Sequence, residues 1–345
     1  MPGPVRLGLI GAGGNMQGSH IPRHIDNADS VIAAVTEPFQ PNVERMRDRF
    51  PSLASVPVYE THEQMLHDGR LDAVIISTPH TYHFQQIIDS LDAGLHVLCE
   101  KPLVCSVKEA QAVIAKRDAT KKIVLVSYQR HYQRAFLTMK AAIDGGLIGD
   151  VQFVELQQNQ NWYQGQKKAD RWRSHKDMSG GGQLNDSGSH IVDIMLYITG
   201  LIPQRVFASQ QNFDMGIDIN SAMTVEFRGG VRGNLSIVGN APFPGASVHE
   251  DITIYGSEGA VFYRQVGQAR PQEPFIQVRR FDSDLPVDVS NVASESTPDA
   301  NFLNAVLKGE TVLSPAECGL RVMELSEAAW KSADTGQPVS VSSLR

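Results

Sequence analysis

An apolar run, Val5 to Ile10, opens directly into Gly11-Ala12-Gly13-Gly14-Asn15-Met16 and then into a helical pattern. That succession confines the start of the chain to a strand, a tight turn and a helix packed together. A glycine at 11 lets the turn close, and one at 13 lets main chain approach a bound group at the helix amino end, where anions are favoured. Strand, glycine loop and helix in this order form the beginning of a dinucleotide fingerprint, with an ordinary glycine turn as the alternative that the loop alone leaves open. Met16 stands in place of the fingerprint's third glycine, which weakens the expected contact between helix and strand.

The same alternation continues through the first third of the chain. Val31 to Thr36, Ala73 to Ser77, Val97 to Cys99 and Ile123 to Ser127 read as further strands, and their scarcity of polar alternation points to a parallel sheet covered on both faces. Between them Asn42 to Phe50, His62 to His67, His83 to Ala93 and Ser106 to Ala119 carry helical spacing, so residues 1–127 predict a doubly wound α/β Rossmann domain. After a helix from Ala135 to Asp144 the texture changes. Val151 to Gln158, Arg205 to Gln211, Ala222 to Phe227, Arg232 to Val238, Asp251 to Tyr255 and Ala260 to Tyr263 read as strands joined by glycine, proline and Asp/Asn turns. Residues 128–345 therefore predict an α/β domain on a mostly antiparallel sheet, closed by helices over Asp299 to Lys308 and Pro315 to Thr335. A chain of 345 residues suits two domains of ordinary size.

Candidate site residues cluster at the carboxyl ends of the first strands, where open α/β sheets bind ligands. Glu37 ends the second strand, placed to accept hydrogen bonds from both hydroxyls of an adenosine ribose and to repel a 2′-phosphate; NAD is thus expected over NADP, with Arg45 or Arg47 as the residues that would accommodate the phosphate. A solvated loop acid is the bland alternative. Ser77-Thr78-Pro79 closes the third long strand, with His83 four residues after the proline, and there Thr78 is expected to bond cofactor while His83 caps or packs. Glu100-Lys101-Pro102 follows the next strand and aims an ammonium at the same edge. Further on, Asp186 and His190 are four residues apart, one helical face if a helix carries both, and Gly188 leaves that face open. The structural alternative makes Asp186 a helix cap and His190 a core histidine.

Arg130 and His131, with Trp162, Tyr163, Arg171, Trp172 and Arg173, offer aromatic faces beside hydrogen-bonding cations, a lining suited to a polyhydroxylated ring; packing at a domain junction is the competing account for Trp162 and Trp172. No HExxH, CxxC or paired-carboxylate pattern occurs, so no metal is expected. A net charge of −7 supplies no basic stripe for nucleic acid or anionic membrane. Cys99, Cys105 and Cys318 have neither disulfide-like nor metal-like spacing, and the opening residues do not read as a secretory leader, which together predict a cytoplasmic protein. Asn240 to Glu250, with two prolines, reads as a loop that crosses to a neighbouring subunit.

Taken together, the glycine loop, Thr78-Pro79 with His83, Glu100-Lys101-Pro102, Gln129-Arg130-His131-Tyr132, Trp172-Arg173 and Gly180 to Asp193 resemble the Gfo/Idh/MocA family of nicotinamide-dependent oxidoreductases nearly end to end. The close of the chain, Asn301-Phe302 to Ala305 and Gly319-Leu320-Arg321 through Val339, follows that family's last helices and final strand. The resemblance implies a large open sheet used for dimer or tetramer contacts, a sugar or polyol substrate, and cofactor contacts from Gly11, Gly13, Gly14, Asn15, Met16, Glu37, Ser77, Thr78, Pro79, His83, Glu100, Lys101, Gln129, Trp172 and Arg173. Lys101 matches the family lysine between nicotinamide and substrate, and Asp186 and His190 match its carboxylate and imidazole. Alcohol oxidation needs a base with a pKa near working pH, which an imidazole provides, and a cation against the developing oxyanion, which Lys101 provides. Substrate contacts are expected from Lys101, Arg130, His131, Trp162, Tyr163, Trp172, Asp186 and His190. Two other functions stay open: an NAD-dependent glycosidase with transient oxidation and no net NADH, and a non-catalytic dinucleotide and sugar sensor.

Overall fold

The computed structural model describes residues 3–68, 70–167, 171–243, 247–267 and 274–344. The chain gathers into two compact units. The first holds the chain up to Val104 with Glu109–Tyr128 and Ser296–Gly319, and the second holds Cys105–Lys108, Gln129–Glu295 and the chain from Leu320 onward.

In the first unit six parallel strands form one sheet: β1 (Val5–Ile10), β2 (Ser30–Thr36), β3 (Val58–Tyr59), β4 (Ala73–Ile76), β5 (His96–Cys99) and β6 (Val124–Val126), in the order β3-β2-β1-β4-β5-β6. Order reverses between β1 and β4, the switch point at which such sheets open a crevice at their carboxyl ends. Leu7, Leu9, Val35, Ile75, Leu98 and Leu125 are buried in a common core, as their apolar runs predict. The edge strand β3 has only two residues and thus no periodicity to read.

A later segment returns to this unit. The helix Pro298–Lys308 has Thr297 as its amino-terminal cap, whose hydroxyl accepts the Ala300 N–H, Pro298 in its first turn and left-handed Gly309 at its end. Its Phe302 and Leu303 belong to the core that contains β1, β4 and β5. Val126 and Ser314 exchange hydrogen bonds, anchoring the same segment on β6. The division between Tyr128 and Gln129 lies one residue from the expected boundary, whereas this return is invisible to any pattern local in sequence.

The described residues of the second unit form eight strands, β7 (Val151–Gln160), β8 (Pro203–Gln211), β9 (Asn220–Phe227), β10 (Arg232–Val238), β11 (Val248–Gly256), β12 (Gly259–Gln265), β13 (Phe275–Arg280) and β14 (Val339–Ser340), ordered β13-β12-β11-β7-β10-β9-β8-β14. Every pair is antiparallel except β7 with β10. Val154, Leu156, Leu235, Ile237, Ile252 and Ile254 alternate toward the buried face, on which the helix Gly188–Thr199 packs against β7. The stretch expected as a loop from 240 to 250 is corrected at its end: Val248, His249 and Glu250 pair with Gln160, Asn159 and Gln158, extending β11. Pro244, Gly245 and Ala246 of that stretch lie outside the described residues. Among the described residues no helix is long and apolar enough to cross a membrane.

Candidate active site

The glycine loop is assembled from three strand ends of the first unit. Gly11 has φ +86°, and a β-carbon there would come within 2.9 Å of both the Ser77 carbonyl oxygen and the Thr78 methyl, so only glycine lets β1 turn beside β4. The Gly11 N–H donates to the Thr36 carbonyl at 2.8 Å and the Ser77 N–H to the Ile10 carbonyl at 2.9 Å, so β2 and β4 both hold the loop. A β-carbon on Gly13 or Gly14 would enter open space, a cradle that a side chain would fill and a pyrophosphate could occupy. The loop's residues thus fit a dinucleotide. Asn15 donates to Ser77 Oγ at 3.2 Å.

Glu37 closes the same edge. Its carboxylate accepts the Ala12 N–H at 2.8 Å, the Phe39 N–H at 3.0 Å and Asn42 Nδ2 at 3.1 Å, so it is an anchored acid and not a solvated loop residue. Met16, expected at the cofactor, is different. Its side chain is fully buried in the hydrophobic core, and a π-helical turn over Met16–His20 occupies the place where the third fingerprint glycine would bring helix and strand together.

Two further strand ends meet at one imidazole. His83 is fully buried, with Nδ1 2.8 Å from the Pro102 carbonyl and Nε2 3.0 Å from the Thr78 carbonyl. Burial holds its pKa below the usual histidine value in spite of the two carbonyls, which favour the charged ring. His83 therefore lies between the Thr78-Pro79 and Lys101-Pro102 turns, where its neutral ring has one N–H to donate to one of the two carbonyls. Thr78 Oγ1 donates to Gln86 at 2.6 Å, and Pro79 leads into the short helix His80–Tyr82. Lys101 is half-buried beyond β5, with its N–H donating to Glu100 Oε2 at 3.2 Å.

Behind Glu100 lies a cluster that pattern reading missed. His20 is fully buried, with Nδ1 2.6 Å from Asp299 Oδ1 and Nε2 3.1 Å from Glu100 Oε1. Asp299 also accepts from Arg23 Nη1 at 2.6 Å and faces His24 Nε2 at 3.1 Å. Burial alone would lower the His20 pKa, but Asp299 and then Glu100 outweigh it and hold the ring at about 9. Glu100, which burial would raise, is brought down to about 2 chiefly by His20, and Asp299 is held well below the carboxylate range against the same burial penalty. Because the folded His20 value lies above the ordinary 6.5, its contribution is complete below about pH 6.5 and is lost as pH rises through about 9. The gap is worth roughly 3 kcal/mol, counted once for the coupled cluster. Thermal unfolding followed by circular dichroism is expected to show Tm falling between pH 7 and 10, with Asp299→Asn flattening that fall; a parallel decline in the variant would contradict the assignment.

The second unit carries the remaining candidates. Here the turn 183–187 leads into the helix Gly188–Thr199, so Asp186 precedes the helix that bears His190 and the two do not share it. Asp186 does not cap that helix either. Its Oδ2 accepts the indole N–H of Trp162 at 2.8 Å and Nε of Arg173 at 3.0 Å, which fixes the carboxylate and supplies it with a cation. The Arg173 guanidinium also stacks on Trp172, 4.2 Å from the ring centroid. Trp162 and Arg173 thus act on Asp186, although sugar contact was expected of the first and cofactor contact of the second. His190 is part-exposed at the amino end of its helix.

Asp218 organises this turn and gave no signal in the sequence. Its carboxylate accepts the Gly182 N–H at 3.0 Å, the Leu184 N–H at 2.8 Å and the Trp330 indole N–H at 2.8 Å. A β-carbon on Gly182 would overlap the Asp218 main chain, which explains the last glycine of the triplet. Burial pushes the Asp218 carboxyl up, opposed by those three donors.

Other expected substrate residues are engaged within the second unit. His131 is fully buried, its Nε2 2.7 Å from Asp193 Oδ2 and its ring stacked on Tyr197 at 3.7 Å; with Asp193 buried as well, the two form a core pair. Arg130 Nη2 meets the buried Glu250 at 2.5 Å, and its guanidinium lies over Phe136. Tyr163 packs with Trp162, Ile217 and Ile219, and its hydroxyl donates to Asp214 at 2.5 Å. Gln129 is exposed at the start of a short helix, and Trp172 is half-buried.

Comparison with known proteins agrees with both units. A model described as an oxidoreductase family with an NAD-binding Rossmann fold matches residues 5–128, and a GFO/IDH/MocA C-terminal domain model matches residues 136–262. Scyllo-inositol 2-dehydrogenase (NADP(+)) IolW of Bacillus subtilis is 25% identical over 354 aligned residues, covering 95% of this chain and 94% of the relative. Myo-inositol 2-dehydrogenase of Thermotoga maritima is 24% identical, with 75% of each chain covered. The solved WlbA dehydrogenase of Bordetella pertussis, in complex with NADH and UDP-GlcNAcA, superimposes with a TM-score of 0.84 at 21% identity over 99% of this chain and 98% of that one, a likeness of fold. Strand order, glycine loop and the matched regions of both units lead to one conclusion: the chain belongs to the Gfo/Idh/MocA family of NAD(P)-dependent oxidoreductases.

Proposed function

We propose that this protein is an NAD-dependent dehydrogenase that oxidises a secondary hydroxyl of a sugar, anhydrosugar or polyol. The observation that carries the reading is the clamped Asp186, held by Trp162 and Arg173 four residues before a part-exposed His190. A bound nicotinamide supplies the hydride acceptor. Gly11, Gly13, Gly14, Asn15, Glu37, Ser77 and Thr78 hold the dinucleotide, with Glu100 and Lys101 beside them. His190 takes the hydroxyl proton, Lys101 stabilises the negative charge that grows on the same oxygen, and Asp186 orients His190 or binds a neighbouring hydroxyl. The inositol dehydrogenases among the relatives support a polyhydroxylated substrate.

Glu37 supports NAD, because an anchored carboxylate at a ribose repels a 2′-phosphate. Replacing Glu37 by serine is expected to raise kcat/KM for NADP and lower it for NAD, each about tenfold, or ~1.4 kcal/mol. Unchanged preference in steady-state assays would remove Glu37 from cofactor choice. We further propose a homodimer or homotetramer through the sheet face that bears Phe207, Tyr255 and Phe275, each more than a third exposed. A cytoplasmic location is in keeping with three cysteines outside any disulfide.

The test is a panel of monosaccharides, anhydrosugars and inositols with NAD and NADP, followed at the nicotinamide absorbance. Net NADH with one substrate class is the expected result. Release of free sugar without net NADH would replace the proposal by transient oxidation, and no turnover with any member would count against both.

A further inference from the structure

His20 stands between carboxylates contributed by two distant stretches of chain, Glu100 after β5 and Asp299 in the helix Pro298–Lys308. An ionised carboxylate only accepts hydrogen bonds, so a ring that meets one on each nitrogen must donate from both. Asp299 has little freedom to turn away. Arg23 and His24 bind it as well, and its side chain is 2% exposed. The load passes outward through Glu100, which also accepts the Lys101 N–H and bonds the Asn15 side chain of the glycine loop. Asn15 in turn holds Ser77 Oγ.

We propose that Asp299 and His20 are positioning residues of the dehydrogenase: together they hold the Glu100 carboxylate in one orientation against Asn15 and Lys101, and thereby keep the dinucleotide-binding edge in its binding geometry. The role rests on the dehydrogenase reading. Among the described residues, the charged and titratable groups that face His20 or its partners are Asp299, Glu100, Arg23, His24 and Lys101, and of these only Asp299 and Glu100 touch the ring. With asparagine at 299 the ring loses one of its two anionic acceptors. It then titrates in the ordinary histidine range, and above that range a neutral ring has one N–H to share between Glu100 and residue 299. Glu100 is released and cofactor affinity becomes dependent on pH.

The experiment compares the full-length wild type, Asp299→Asn and Phe302→Leu, the last an apolar change in the core on the same helix that leaves every charged side chain of the cluster in place. Ring nitrogen NMR on the cofactor-free proteins follows His20, while fluorescence titration with NADH and with NADPH gives Kd from pH 6 to 9. In the wild type both ring nitrogens are expected to stay protonated through pH 8 with a flat Kd. In Asp299→Asn the ring should titrate near its ordinary value, with Kd within threefold of wild type at pH 6 and at least tenfold weaker at pH 8.5. Phe302→Leu should lower Tm and leave the Kd profile flat. The proposal is overturned if the wild-type ring is neutral at pH 7.5, if Asp299→Asn follows the wild-type Kd at every pH, or if Phe302→Leu shows the same alkaline loss. A wild type with doubly protonated His20 that binds neither NADH nor NADPH would overturn the dehydrogenase reading and the positioning role together, an outcome distinct from a failure seen only in the Asp299 variant.

Discussion

Alanine at position 190 is expected to reduce turnover roughly a thousandfold while NADH binding stays within a factor of three, since a positioned general base contributes on the order of 10²–10⁴ to rate. Hydride leaves a carbinol carbon readily only as its hydroxyl loses a proton, so removal of the imidazole should lower kcat and kcat/KM together. His190 is part-exposed and sits in the first turn of a helix whose next residues, Ile191 and Val192, are buried, so truncation at 190 should spare the core. The control is thermal unfolding. A Tm within a few degrees of wild type alongside the kinetic collapse supports a chemical role, and a variant that retains full turnover with its best substrate would exclude His190 as the base.

Lys101→Met should have the second-largest effect, a loss of roughly 10²–10³ in kcat, because under the proposed function it removes the cation that stabilises developing oxyanion charge and keeps the bulk of the side chain. The main-chain contact from residue 101 to Glu100 survives this change, so the strand end should keep its shape. If Lys101 and His190 act on the same oxygen, their effects will be strongly non-additive, and the double variant will be little worse than Lys101→Met or His190→Ala alone. Independent, multiplicative losses in pre-steady-state hydride transfer would show that they serve different steps.

The proposal for these two residues rests on local signals: a strand ending in Glu-Lys-Pro, and a glycine triplet followed by Asp-Ser-Gly-Ser-His. The place of Glu37 beside the loop has a local signal too, since it stands at the end of β2 at fingerprint distance from the glycines and accepts the Ala12 N–H. The parallel sheet was legible in apolar runs alternating with helical patterns and the antiparallel one in strands joined by glycine, proline and Asp/Asn turns, yet β3 and β14, two residues each, were too short to carry a pattern. What escaped is long-range. His20 and Asp299 lie 279 positions apart, and nothing in either neighbourhood announces the other. Asp218 gives no hint that it receives two main-chain N–H groups of the glycine turn. Residue type misled in a different way at His131 and Trp162, since an aromatic or imidazole near a site suits a sugar as well as a buried partner, and only the positions of Asp193 and Asp186 decide between those uses.

The return of residues 296–319 to the first sheet limits how the nucleotide-binding part can be handled as a module. A fragment cut after residue 127 would leave the apolar face that Phe302 and Leu303 cover open to water, and would strand the His20 imidazole without its deepest counter-charge. Chimeras that exchange the substrate half between relatives must therefore carry two crossovers, so that each graft brings the later helix home with the glycine loop it supports.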